Sequence, residues 1–479
     1  MAGPVIDPLR PPQDSGAAAA AASAEAADRV AWRTVLGFGA PGLGAGYMYL
    51  MLALYVMKFS TDVLLIAPAV MGLIFSVSRI WDAVSDPLVG YLSDRTRIAY
   101  GRRRSWILAS TIPIGAAFIM VFAPPASLTG GALVAWMAVA IIGFYSAMTV
   151  FFVPHLSLGA ELSRSYHERS RLFGVRHGFY TFGSILSLVS FYVLISAEQE
   201  GPEAVRAIAR DLAVLVAVAM ALLIFFALGQ IKERPEYRGR VNANPFFAFR
   251  DICRNPHARL LIVVTFIEHV GSAAIGALTL YVAQYVVGAP LWAPVMILCY
   301  MLPSSLSVPL WIPLSRRFGK VRLWMFSMIL TGVSFGCMFA LPWLEGTTLK
   351  IGYICVAAAF AGFAAGCGGT LSPSIQGDVI DYDELQTGER KEGSYFAAWN
   401  FVYKGATGVM LLLTGFVLQF SGFVPNQVQP INVQLAMVTL YGLFPLVCYG
   451  VGAFMFRKFS LDETAHAEIR RQLDERRGV

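Results

Sequence analysis

The chain has 479 residues, 57% of them hydrophobic and only 14% charged, and a mean hydropathy of +0.61. This excludes a soluble enzyme: cores of ordinary size cannot hide so much apolar surface, whereas a bilayer accepts it, so the chain reads as a polytopic membrane protein. The net charge of +7 does not argue for nucleic acid, because most basic residues fall in short loops between apolar runs, where membrane topology explains them.

Residues 1–32, with Pro4, Pro8, Pro11, Pro12 and an alanine run from Ala17 to Ala22, read as a disordered tail with no cleavable-signal pattern. Apolar runs then predict spans at 34–58, 66–92, 105–124, 131–157, 172–196, 211–231, 259–285, 291–313, 321–343, 350–376, 393–421 and 433–457. They form two six-helix halves, 33–231 and 259–457, joined by a linker over 232–258 that holds Pro235, Pro245 and Pro256, and followed by a tail over 458–479. The loops after spans two, four, six, eight and ten carry most of the loop Lys and Arg, among them Arg95, Arg97, Arg102, Arg103, Arg104, Arg316, Arg317, Lys320 and Arg322, which puts both termini in the cytoplasm. Two of these loops, Gly101-Arg102-Arg103-Arg104-Ser-Trp106 and Arg316-Arg317-Phe-Gly319-Lys320-Val-Arg322-Leu-Trp324, lie roughly 220 residues apart, as duplicated halves require. Such a cluster either serves topology alone or contacts helix carbonyl ends and neighbouring acids.

Ionisable groups at bilayer depth cost about 2.5–3.5 kcal/mol each, so those kept there need a reason. In the second span, Arg79-Ile-Trp81-Asp82-Ala-Val-Ser85-Asp86-Pro87 sets two carboxylates four residues apart on one helical face, with Ser85 adjoining. Oxygen donors so placed suit a hard cation, sodium, and Thr149 in the fourth span offers a hydroxyl. The competing reading has Asp82 pairing with Arg79 or Lys404 and Asp86 capping a helix irregularity before Pro87. Lys404, deep in the eleventh span, is expected to face the cavity and neutralise that acid pair. Arg176, Tyr47, Asn400 and Glu268 are further candidates for substrate contact or coupling; Glu268 is either a proton site or the partner of a rim arginine. At the end of the tenth span, Asp378, Asp381, Asp383 and Glu384 face the basic loops, where Asp94, Arg95, Arg102 and Arg103 lie, and are read either as a cytoplasmic gate or as a solvated loop. Six cysteines, most in apolar segments (Cys299, Cys337, Cys355, Cys367, Cys448) and with no CxxC, read as small hydrophobes. The chain lacks HExxH, GxSxG and Walker A patterns, so no enzyme signature competes.

Four runs in order, Arg79 to Pro87, Gly101 to Ile107, Phe152-Val-Pro154-His-Leu-Ser157-Leu-Gly-Ala-Glu161 with Glu168-Arg169-Ser-Arg171, and Asp378-Val-Ile-Asp381-Tyr382-Asp383-Glu384, resemble the glycoside-pentoside-hexuronide:cation symporters. This is the melibiose permease branch of the major facilitator superfamily, which also includes sodium-dependent lysolipid symporters. The resemblance spans nearly all the chain after the tail and implies an all-α, twelve-helix major facilitator fold with cation-coupled alternating access. It further implies that Asp82, Asp86 and Thr149 are sodium ligands and that Lys404 links cation and substrate sites. Where the melibiose permease holds sugar hydroxyls with acids in spans one and four, this chain has Gly44 and Phe152, and Leu156 and Gly369 stand where that permease has tryptophans. A less polar cavity and a ligand with an apolar portion follow from these differences.

The expectation is a secondary active symporter in the cytoplasmic (inner) membrane if the source is bacterial, acting as a monomer on a small organic solute, carbohydrate or glycoside first. The coupling ion is expected to be Na+, with H+ or Li+ open, and no cofactor or nucleic acid is involved. The rivals are a sodium-dependent transporter of a lysolipid or other amphipathic metabolite, a non-transporting membrane receptor or regulator, and a drug-exporting proton antiporter.

Overall fold

The computed structural model describes residues 29–163, 166–233, 252, 254–388, 392–461 and 463–477; the expected tail before residue 29 and most of the expected 232–258 linker lie outside them. Twelve long helices follow one another: α1 (Trp32–Val63), α2 (Pro68–Arg95), α3 (Arg104–Phe122), α4 (Gly130–Glu161), α5 (Tyr166–Ala197), α6 (Pro202–Gln230), α7 (Pro256–Val287), α8 (Pro290–Phe318), α9 (Lys320–Trp343), α10 (Thr347–Thr387), α11 (Glu392–Ser421) and α12 (Ile431–Phe456). Among the described residues, eleven helices are long and apolar enough to cross a membrane. The long helix outside that set is α2, whose Arg79, Asp82, Asp86, Asp94 and Arg95 lower its hydropathy. A charged helix persists in a bilayer only by turning its charges inward, and α2 packs against α4 on one side and α11 on the other.

The packing repeats itself with a shift of six helices. In the first bundle α2 pairs with α4, α3 with α4 and α6, and α1 with α5 and α6; in the second, α8 pairs with α10, α9 with α10 and α12, and α7 with α11 and α12. The contacts between bundles, α2 with α11 and α5 with α8, obey the same shift. This is the internal symmetry of a duplicated six-helix unit.

Three boundaries depart from the apolar runs. Helix α6 begins at Pro202 rather than 211, because Val205, Ala209 and Ala213 already form a buried stripe while Glu203, Arg206 and Arg210 keep the local hydropathy low. Helix α10 continues to Thr387 rather than ending near 376, so the acidic stretch after Gln376 is helical and its Asp381, Asp383 and Glu384 are buried. The tail after the last span folds into α13 (Glu463–Arg477), which rests on α10.

Small residues set the closest helix crossings, as expected where lipid offers no hydrophobic drive between helices. A Cβ on Gly183 would lie 1.9 Å from the Leu43 carbonyl oxygen, and one on Gly46 2.0 Å from that of Tyr180, so α1 and α5 touch backbone to backbone. Gly183→Val is therefore expected to cost about 1–3 kcal/mol or more through forced separation, whereas Gly178→Ala, whose Cβ meets nothing within 4 Å, should be nearly neutral. Melting temperatures of the two purified variants check the contrast; equal values would mean that this crossing relaxes freely.

Candidate functional site

The four-residue spacing of Asp82 and Asp86 brings both side chains to the same side of α2, and Pro87 withholds an N–H from the carbonyl of Ala83 beneath them. Helix α4 supplies Thr149, whose hydroxyl lies 2.7 Å from Asp82 Oδ1 and 2.9 Å from Asp86 Oδ1. From the other bundle, α11 supplies Lys404, whose Nζ stands 2.9 Å from Asp82 Oδ2 and 2.5 Å from Asp86 Oδ2. Asp82 and Thr149 are almost fully buried, while Asp86 and Lys404 keep 29% and 21% of their side-chain exposure. Arg79 completes the cluster: it donates to Tyr145 Oη at 2.8 Å, stacks over that ring at 4.1 Å, and approaches Asp82 at 3.8 Å.

Thr149 has one hydroxyl proton and two lone pairs. It donates to one carboxylate at a time, so three oxygens are gathered where a small cation would find ligands. In the structure an ammonium, Lys404, already neutralises the pair. Ser85 is adjacent but donates its hydroxyl to the Asp82 backbone carbonyl at 3.2 Å.

Beside this cluster lies a cavity of about 420 Å³ between the bundles, with Tyr49, Arg79, Asp82, Tyr145, Tyr180 and Lys404 among its lining. A second cavity of about 300 Å³ lies within α7–α12 and contains Glu268. His269, Ser272, Asn400 and Tyr403 line both, so the two are contiguous. Asn400 and Lys404, one helical turn apart on α11, join the cluster around Asp82 and Asp86 to the second cavity.

Tyr47 and Arg176 are not among the residues lining these two cavities. Tyr47 is buried between α1 and α5 with its hydroxyl 2.5 Å from Ser190 Oγ; the α1 tyrosine that lines the central cavity is Tyr49, because the Gly42 and Gly46 side of α1 is the side pressed against α5. Arg176 holds its guanidinium over the Phe152 ring at 5.4 Å, and no hydrogen bond or ion pair of its side chain is found among the described residues.

At the end carrying the basic loops, ion pairs form within each bundle. Arg103 meets Asp94 at 2.6 Å, Arg102 meets Glu161 at 2.6 Å, and Arg95 stacks on Tyr91. Glu233 accepts the backbone N–H groups of Arg102, Arg103 and Arg104 at 2.7–2.8 Å, an anion at the start of α3. Arg104 donates to the Leu228 carbonyl at 2.7 Å. On α10, Asp378 binds Lys320 at 2.8 Å, and Asp381 faces His466 at 3.0 Å and Arg470 at 3.5 Å. Asp378 and Asp381 thus also have partners on α13, which the continuing helix brings beside them.

At the opposite end the bundles are bonded to each other. Lys58, fully buried, binds Glu198 at 2.5 Å and Asp62 at 3.3 Å. Tyr285 of the second bundle donates to Asp62 Oδ2 at 2.7 Å, Thr61 and Tyr281 hydroxyls lie 2.7 Å apart, and Asn426 Nδ2 donates to the Asp62 carbonyl at 2.8 Å. This network joins residues too far apart in the chain to be read from the sequence. The four-residue spacing of Lys58 and Asp62 was its one local signal.

Twelve helices in two symmetry-related bundles around a charged central cavity define a secondary transporter. The chain belongs to the family described as MFS/sugar transport protein, whose model matches residues 37–463. It is 23% identical, over 94% of its length and 97% of the relative's, to a glucuronide carrier protein homolog of Escherichia coli (strain K12). It is 24% identical to sodium-dependent lysophosphatidylcholine symporter 1-A of Danio rerio, over 88% of this chain and 84% of that one. A solved D-xylose-proton symporter shares the fold at a TM-score of 0.65 and 13% identity, covering 89% of this chain and 97% of that one. The protein is an integral membrane transporter and not an enzyme.

Proposed function

We propose that this chain is a sodium-coupled symporter of a glycoside bearing an apolar portion, working by alternating access in the cytoplasmic membrane with both termini inside the cell. The carrying observation is the convergence of Asp82, Asp86 and Thr149 from one bundle on Lys404 from the other, at the wall of the central cavity. A sodium ion taking these oxygens displaces the like-charged ammonium, which frees Lys404 towards the cavity and makes the relation of the bundles depend on the ion. The family description and the names of relatives support sugar and sodium, and Leu50, Leu52, Ala53, Met57 and Phe75 give the first-bundle wall an apolar face for an aglycone. With the bundles bonded at the end away from the basic loops, the conformation reads as open towards the cytoplasm, and the Asp378 to Glu384 segment acts with α13 as part of the cytoplasmic gate region.

Proteoliposomes containing the purified chain test this. An inward sodium gradient is expected to drive accumulation of p-nitrophenyl glycosides, and collapse of the gradient to abolish it. Accumulation driven by a proton gradient with sodium absent would reassign the ion; efflux against an inward proton gradient would make the protein an antiporter.

A further inference from the structure

Glu268 is a carboxylate that the cation cycle does not use. It stands on α7 inside the second cavity with the Trp324 indole as its side-chain hydrogen-bonding neighbour, and a Cβ placed on Gly368 would lie 3.7 Å from its Oε1 and 3.6 Å from Trp324 Nε1, so both polar atoms border the same space beside α10. Two polar groups lining this cavity have no hydrogen-bond partner among the described residues: Thr265 Oγ1 and Trp399 Nε1, each on a residue only 4% exposed. Buried polar groups are normally bonded, and those left open at a cavity wall call for a ligand.

The donor set narrows what that ligand is. Indole N–H groups only donate, so the ligand must accept; an ionised carboxylate only accepts, so the ligand must also donate. An ammonium has no acceptor and a carboxylate ligand would meet Glu268 as a like charge, whereas a hydroxyl does both. The aromatic rings of Tyr300, Trp324, Tyr403 and Tyr449 around the same space offer faces for the C–H surface of a pyranose. In the first-bundle wall of the central cavity, by contrast, Asp82 is committed to Thr149 and Lys404.

We propose that the glycone of the transported solute is read in the second bundle, with Glu268 accepting two sugar hydroxyls, Trp399 and Thr265 donating to ring substituents, and Asn400 connecting this subsite to Lys404. The inference rests on the carbohydrate reading above and goes beyond it by moving recognition away from α1 and α4. It makes Glu268 a specificity residue whose loss affects sugar binding and leaves ion binding intact.

Isothermal titration of the purified full chain in saturating sodium chloride, with p-nitrophenyl β-D-glucopyranoside, β-D-xylopyranoside and α-D-galactopyranoside as probes, tests it. Glu268→Gln is expected to weaken whichever of these the wild type binds by about tenfold or more, as loss of a charged acceptor implies. Trp399→Phe should weaken it several-fold, and Gly368→Leu, which covers Glu268 and Trp324, by at least as much as Glu268→Gln. Sodium-dependent thermal stabilisation should persist in all three and serves as the folding control. Wild-type affinity within about twofold in all three variants, with sodium stabilisation intact, would overturn the subsite and leave the symporter reading standing. No binding of any probe by the wild type would overturn the carbohydrate class and the subsite with it.

Discussion

Asp82→Asn is expected to abolish the stabilisation of the purified transporter by sodium, and Asp86→Asn to do the same, while Lys404→Ala strengthens it. The acids and the lysine differ in sign because they stand on opposite sides of one competition. A bound ion stabilises by about 2.7 kcal/mol at a hundredfold excess over its dissociation constant, so losing a charged ligand removes a measurable shift in melting temperature. Lys404 lies within 2.5–2.9 Å of the same two carboxylates and must leave before a like-charged ion can take its place. Without it the carboxylates repel each other and attract sodium more strongly, so the apparent sodium affinity should rise about tenfold, the equivalent of 1.4 kcal/mol. Solute uptake should still fail in Lys404→Ala, because the group that carries the ion's presence to the cavity is gone. Thermal denaturation across a sodium titration checks all three variants. A Lys404→Ala protein with weakened sodium affinity would show that the ammonium assists the ion rather than competing with it.

The meeting of Asp82, Asp86, Thr149 and Lys404 was legible because its parts announce themselves locally: two acids one turn apart in an apolar span, a hydroxyl in another and a lone deep lysine are each costly to keep there. Twelve spans were legible for the same energetic reason. Helix ends were not, because hydropathy reports where lipid stops and not where hydrogen bonding stops, which is why α10 outruns its apolar run by three helical turns and why the acids on it proved buried. Tyr47 and Tyr49 could not be told apart from sequence, since the first span is apolar on all faces and offers no polar stripe to orient it. The bond between Asp62 and Tyr285 joins residues 223 positions apart, and nothing local to either residue predicts its partner. Glu268 was visible as an anomaly, but the polar groups around it, Thr265, Trp324 and Trp399, come from three helices.

Tyr285→Phe is expected to shift the resting population about ten- to a hundredfold towards a state open at the end opposite the basic loops. The phenol donates to the carboxylate of Asp62 across the two bundles, and a hydrogen bond to a charged group contributes about 1.5–3 kcal/mol. That contribution exists only while the bundles meet at this end; once they part, water serves Asp62 equally well, so the variant weakens one conformation and spares the other. Lys58 and Glu198 hold Asp62 from within the first bundle, and the ring of the phenylalanine still packs against Tyr281 and Phe423 as the tyrosine does, so the fold should survive. Asp62→Ala is the poorer probe, because removing one member of a buried charged network costs about 3–5 kcal/mol in its own right. A cysteine at Ala53, exposed on the central cavity wall, placed in a background with the native cysteines replaced by serine, reports the opening through its rate of reaction with a membrane-impermeant maleimide added from outside. The rate should rise in Tyr285→Phe and fall back when sodium and solute together favour closure. An unchanged rate would assign the closure of this end to the remaining pairs, Thr61 with Tyr281 and Asn426 with Asp62, and to the glycine crossing of α2 and α11, where a Cβ on Gly415 would come within 2.4 Å of the Pro68 carbonyl.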